Sequence, residues 1–265
     1  MTDRELQLTV LGCRGSMAIC REDSILFGGD TSCYMVRAGD ETIFLDGGSG
    51  LIDAPTQFVK PPSILLSHFH LDHVLGLGMY PRFSQKGCET SIYLPGCSSM
   101  EGRALLDGIY SPPYWPLSLT EYAGVVKLLT LTDHFFIGDV QVKCMPGRHP
   151  GGSQIIRLDY AGRSLVYATD YEPDPEIEGE LVAFARDADL LLFDGQYTED
   201  EYPFKRGFGH STAEKGLELM ERSGVSRLVI IHHDPRSTDD ELADREKHFG
   251  RPDVHYAREG ETICL

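Results

Sequence analysis

The chain has 265 residues, with 41 Asp and Glu against 24 Lys and Arg, a net charge of −17. Long nucleic acid is held mainly by clustered basic residues that neutralise phosphates, and the longest basic run here is Lys205-Arg206, so a long polyanion has no track to follow. No apolar run approaches the ~20 residues a membrane-crossing helix needs. The opening Met1-Thr2-Asp3-Arg4-Glu5 lacks a basic-then-apolar signal pattern, so a cytoplasmic protein with no membrane partner is expected.

Hydrophobic periodicity and turn residues predict strands at 5–11, 32–38, 41–46, 63–67, 91–95, 125–131, 139–144, 154–160, 164–169, 189–194, 227–232 and 261–264. Helices are predicted near 72–79, 99–107, 178–186, 212–223 and 238–249. This order is the rhythm of a duplicated ββα half, which places two sheets between helical layers. One domain spanning 1–265 is expected, since two-sheet architectures often reach ~250 residues as one unit. A Pro- and aromatic-rich insertion near 108–120 interrupts the pattern and holds the only Trp. Its Tyr114 and Trp115 stack a flat group of the substrate over the site, or else pack locally or at a dimer contact, the stronger alternative. Seven cysteines, an odd number with no Cys-x-x-Cys pair, predict reduced thiols. Cys13 and Cys20 are expected near the rim of the site.

The chemistry concentrates in His68-Phe69-His70-Leu71-Asp72-His73, directly after the apolar Ile64-Leu65-Leu66. Packing does not call for three imidazoles and a carboxylate in six positions. If the segment leaves the strand extended, His68 and His70 project to one side and can grip one metal. Asp72 and His73, beyond the turn, can reach a second. Imidazole with carboxylate suits zinc, manganese or iron.

This segment resembles the H-x-H-x-D-H signature of the metallo-β-lactamase superfamily. The resemblance implies an α/β fold, an αββα sandwich of two packed mixed β-sheets flanked by helices, with two divalent metal ions at one edge. Four further motifs have counterparts here. Asp46 ends the strand Glu41–Asp46, before Gly47-Gly48-Ser49-Gly50, and is implied to support the metal loop without binding metal. His149, in Pro146-Gly147-Arg148-His149-Pro150, is implied as the third ligand of the first metal. Asp170, at the end of Leu165–Asp170, is implied as a carboxylate shared by both metals. The last histidine follows Arg227–Ile231; His232 matches the family pattern better, with His233 as the alternative. The implied sets are His68, His70 and His149 for one ion, and Asp72, His73 and His232 for the other, with Asp170 bridging and the ions zinc or manganese, iron being a third option.

Gly209-His210-Ser211-Thr212 and the early Leu11-Gly12-Cys13-Arg14-Gly15-Ser16 are similar to the ribonuclease Z and phosphodiesterase branch. That likeness implies His210 as the general acid for the leaving oxygen, or else as a residue packed at a helix start. Asp194 stands where that branch has a histidine–glutamate pair and is the candidate partner of His210; Asp72 is counted with them as a catalytic residue as well as a ligand. The sequence departs from ribonuclease Z in that His149 and Asp170 are only 21 positions apart, room for a hairpin and not for an arm that grips transfer RNA. The expected enzyme is therefore a dinuclear metal-dependent hydrolase acting on a small anionic phosphodiester, a cyclic nucleotide or a short oligonucleotide, through a metal-bridging hydroxide. The alternatives are an ester, thioester or lactone hydrolase with the same centre and, less favoured, a non-catalytic nucleotide-binding metalloprotein. Arg14, Arg148 and Arg236 flank motifs, so one of them is a candidate to hold a phosphate oxygen, an ordinary surface or supporting role being the stronger alternative for each. Relatives are often dimers, which makes a homodimer the expectation.

Overall fold

The computed structural model describes residues 5–96 and 98–265. The first six strands are β1 (Leu6–Gly12), β2 (Cys33–Ala38), β3 (Glu41–Leu45), β4 (Ser63–Leu65), β5 (Glu89–Leu94) and β6 (Val125–Thr130). The next seven are β7 (His134–Ile137), β8 (Val140–Gly147), β9 (Ser153–Tyr160), β10 (Arg163–Ala168), β11 (Leu190–Asp194), β12 (Leu228–Ile231) and β13 (Val254–Tyr256). The last, β14 (Thr262–Cys264), returns to the first sheet. The two seven-stranded sheets run β14-β1-β2-β3-β4-β5-β6 and β13-β12-β11-β10-β9-β8-β7.

The first sheet is antiparallel from β14 to β3 and parallel from β3 to β6, and the second is antiparallel from β7 to β10 and parallel from β10 to β13. This internal likeness is the duplication the element order predicts. Side chains that alternate along β1, β8 and β9 meet between the sheets in one core, where Leu8, Tyr34, Leu45, Val142, Leu158 and Tyr167 are buried. The parallel strands β4, β11 and β12 are buried on both faces and so are apolar without alternation.

Helices cover the outer faces. α1 (Leu71–Val74) and α2 (Ser99–Ile109) lie on the first sheet; α3 (Glu178–Ala185), α5 (Ala213–Ser223) and α6 (Asp239–Phe249) lie on the second, and α4 (Tyr202–Lys205) is a single turn before the His-Ser-Thr segment. Thr212 caps α5 by accepting from the Lys215 amide, as a threonine before a helix should. No helix among the described residues is long and apolar enough to cross a membrane.

Two expectations need correction. The helix predicted over 72–79 stops at Val74 and resumes as a 3-10 turn, Leu77–Met79. Gly76 lies against the loop that follows β3, and a Cβ there would come within 2.0 Å of the Gly48 carbonyl oxygen; close approach of two backbones overrides the helical pattern. Strands β7 and β13 were not predicted. They are short, and their pairing to β8 and β12 supplies what their sequences do not.

Candidate metal centre

The candidate ligands come together because they sit at the ends of strands in both sheets. His68–His73 leaves β4, His149 follows β8, Asp170 follows β10 and His232 follows β12. Asp46, Asp170 and His232 all have left-handed backbone, with φ of 62°, 47° and 60°. Such residues without glycine's freedom cost of order 1–3 kcal/mol and persist where the surroundings over-determine them. Here the turn aims each side chain into the gap between the sheet edges.

The ligand atoms form two groups. His68, His70, His149 and Asp170 each bring an atom within 4.8 Å of the others, and so do Asp72, His73, Asp170 and His232. Asp170 serves both. Its Oδ2 lies 3.5 Å from His68 Nε2 and 3.5 Å from His149 Nε2, while its Oδ1 lies 3.2 Å from His73 Nε2 and 3.2 Å from His232 Nε2. Asp72 Oδ2 completes the second group, 3.2 Å from His73 Nε2 and 3.1 Å from His232 Nε2.

The outer nitrogens are tied down, which settles the tautomers. His73 Nδ1–H donates to Asp46 Oδ2 at 2.7 Å, and His149 Nδ1–H donates to the Gly209 carbonyl at 2.8 Å. In the neutral ring each Nε2 therefore presents a lone pair inward. The buried Nε2 atoms of His68 and His73 have no hydrogen-bond partner. Lone pairs and carboxylate oxygens converging in a buried site fit a cation. Asp46 anchors the arrangement: it accepts from the Ser67 amide at 2.6 Å, from Ser67 Oγ at 2.7 Å and from Tyr167 OH at 2.7 Å, and it has no ligand atom in either group.

Burial pushes His68 well below the ordinary imidazole range and lowers His70 and His149 as well. The second group behaves oppositely. Burial opposes charge on His73, but the carboxylates of Asp170, Asp72 and Asp46 outweigh it and hold His73 well above that range. His232, also buried, is held up at about 9 by Asp170, Asp72 and Asp194. Burial works against ionised Asp72 and Asp170, yet the surrounding histidines keep both well below the usual carboxylate range.

His210 lies beside both groups. It stacks on His232 at 4.8 Å and meets His149 edge-on at 5.1 Å. Its Nδ1–H donates to the fully buried Asp194 at 2.8 Å, the pairing proposed from sequence. Nε2 has no partner among the described residues. The loop before it is shaped by Glu172, which accepts from the Gly207 and Gly209 amides. Gly209 has φ +91°, and a Cβ there would fall 2.1 Å from His149 Nδ1, so this position admits no side chain.

Other candidates fall outside the cluster. His233 turns away: its Nε2–H donates to the Ala257 carbonyl at 2.9 Å, it packs against Phe27 and Tyr256, and burial lowers it to about 3. Trp115 is not over the metals. It packs edge-on to Tyr110 at 5.4 Å and donates to Tyr122 OH at 2.9 Å, while Tyr114 projects into solvent. Arg14 is fully buried and clamps the carbonyls of Gly28, Asp234 and Ser237, so it is structural. Arg148 and Arg236 are exposed, nearest Asp174 and Asp234. Cys13 is buried, its thiol on the Phe27 and Ala257 carbonyls, and is not at a rim; the six described cysteines are free. Sequence reasoning missed the Ser16 amide, which donates to Asp72 Oδ2 at 2.7 Å, and Tyr167. The Gly15-Ser16 pair after β1 was a usable signal for the first; nothing marks Tyr167, which reads as core.

A sandwich of two mixed sheets with clustered histidines and aspartates at one edge defines a metal-dependent hydrolase of the metallo-β-lactamase fold. The chain belongs to that superfamily: residues 51–233 match the family model described as a beta-lactamase superfamily domain. It is 27% identical to a ribonuclease Z of Methanosarcina acetivorans, over 89% of this chain and 90% of the relative. The solved structure of the metallo-beta-lactamase fold protein YhfI from Bacillus subtilis superposes with a TM-score of 0.76 at 18% identity, covering 99% of this chain and 100% of that one. A diphosphatase from the PhnP family gives 0.69 at 15%, covering 97% of each. At these identities the two structures attest the fold alone.

Proposed function

We propose that the chain is a dinuclear metal-dependent phosphodiesterase that cleaves a small phosphodiester, a cyclic nucleotide or a short oligonucleotide. The observation that carries this reading is Asp170 dividing its two oxygens between two histidine groups, beside a histidine–aspartate pair. One ion would be held by His68, His70, His149 and Asp170, the other by Asp72, His73, Asp170 and His232. Zinc or manganese suits these nitrogen and oxygen donors, and iron is compatible. When bound, such ions supply positive charge for phosphoryl oxygens and lower the pKa of water.

The chain's own residues do the rest. His210 is the general acid: Asp194 fixes its tautomer by accepting from Nδ1, leaving Nε2 to carry a proton to the departing oxygen. Asp46 and Gly209 orient His73 and His149. A ribonuclease Z relative argues for phosphoester chemistry, while the hairpin of β9 and β10 fills the whole stretch between His149 and Asp170 and leaves no RNA-gripping arm. With net charge −17 this favours a small anionic substrate over long nucleic acid. The reading includes a homodimer, which sedimentation equilibrium would test.

The experiment is hydrolysis of bis(p-nitrophenyl) phosphate by metal-analysed protein, with a chelated control. Chelator-sensitive turnover near two metals per chain is expected. Fully metallated protein without turnover would shift the reading to a carboxylic ester, thioester or lactone. That second reading draws on a specific observation: no charged side chain among the described residues lines the cleft beside His68 and His70.

A further inference from the structure

That cleft has a volume of about 360 Å³ and shares His68 and His70 with the metal cluster. Its apolar wall is Phe69, Pro95, Leu105 and Pro150. Its volume is near the lower end of the ~300–1,000 Å³ typical of small-molecule sites, enough for one ring-bearing group and not for a chain of them. Among the described residues no Asp, Glu, Lys or Arg side chain lines it. The nearby cations lie elsewhere. Lys205 sits over the Tyr197 ring at 5.7 Å, and Tyr197 packs edge-on to His210, so that charge is reached past His210 and not past His68 and His70.

From this asymmetry we infer that the cleft holds the uncharged half of the substrate, a single nucleoside, and rejects a substrate that carries a second phosphate on that half. The inference rests on the phosphodiesterase reading above and narrows it: a cyclic nucleotide or a nucleoside monophosphate ester fits, and an internal linkage of an oligonucleotide does not. The physical reason is desolvation. A second phosphate in this cleft would leave water for a lining with no Lys or Arg, while the ion at His68 and His70 would be engaged by the phosphate being cleaved, and buried charge without a partner is expensive. A base and sugar instead meet aromatic, proline and aliphatic surface.

The test uses the metallated protein and three substrates: bis(p-nitrophenyl) phosphate, the p-nitrophenyl ester of thymidine 5′-phosphate, and the same ester carrying a 3′-phosphate. The 3′-phosphate is expected to lower kcat/KM about 100-fold, mainly through KM. Leu105 is 52% exposed, so Leu105→Lys places a cation at the cleft without burying it. That variant is expected to recover about tenfold for the 3′-phosphorylated ester alone, a charge-specific gain that a packing defect would not give. Equal kcat/KM for the two thymidine esters, with bis(p-nitrophenyl) phosphate turned over, overturns the inference and leaves the phosphodiesterase reading standing. No turnover of any of the three overturns both.

Discussion

The two halves of the metal centre are built from the same residue types and yet differ physically. His68 and His70 stand beside an uncharged cleft and are driven by burial towards the neutral form. His73 comes only three residues after His70, but it is enclosed with Asp46, Asp72 and Asp170, which hold it well above the ordinary range. The first half borders the open cleft; the second is a closed nest of negative charge. The difference teaches that a run of ligands in sequence does not make one environment, because backbone direction decides which neighbours each side chain meets.

The largest effect tests what the halves share. Asp170→Ala removes the one carboxylate common to both, so metal content should fall towards zero and turnover to background. Retention of one tightly bound ion would break the bridging role. Next comes His210→Ala, which should spare metal content and lower turnover by roughly 10²–10⁴-fold for an alkoxide leaving group. The loss should shrink with p-nitrophenolate, which departs without a proton; equal losses with both leaving groups would remove the acid role.

A smaller effect separates the halves. Asp46→Asn loosens the tautomer and tilt of His73 directly and reaches His68 only through Ser67, so the ion at His73 should weaken by about 10–100-fold and the other by much less. Chelator competition followed over time should then show two unequal phases, and uniform loss would mean the halves are not independent.

The smallest effect lies away from both halves and serves as a control. Glu259 is pushed up to about 7 by burial, with the carboxylate of Asp30 adding to it. A carboxyl group raised in the folded state is more protonated there than when unfolded. Its contribution to stability is therefore complete below about pH 4.5 and lost as pH rises through about 7. Glu259→Gln should flatten that slope in denaturant titrations at pH 5 and pH 8; an unchanged slope would show that another group carries it.

Much of this was legible from residues alone. His68 and His70 follow a buried strand with period two, and Asp46, Asp170 and His232 each close an apolar run, so both the sheets and most of the ligand set could be read locally. Trp115 was not fixed by sequence, since an aromatic beside prolines favours packing without excluding a lid, and only its contacts with Tyr110 and Tyr122 decide. Arg14 neighbours a motif, which left a phosphate role open beside the favoured ordinary one, and in space it is spent on three carbonyls.

By itself the sequence marked His68, His70, Asp72 and His73 as able to ligate, because that depends on spacing along one backbone segment, while His149, Asp170 and His232 entered only through the family resemblance. Tertiary structure decided the rest. The left-handed turn at His232 sends that ring to Asp72 and Asp170 and His233 to the Ala257 carbonyl. The bond from Tyr167 to Asp46 and the neutrality of the cleft join residues far apart in the chain. Such contacts exist only once the two sheets pack, because no local rule of spacing reaches across the sandwich.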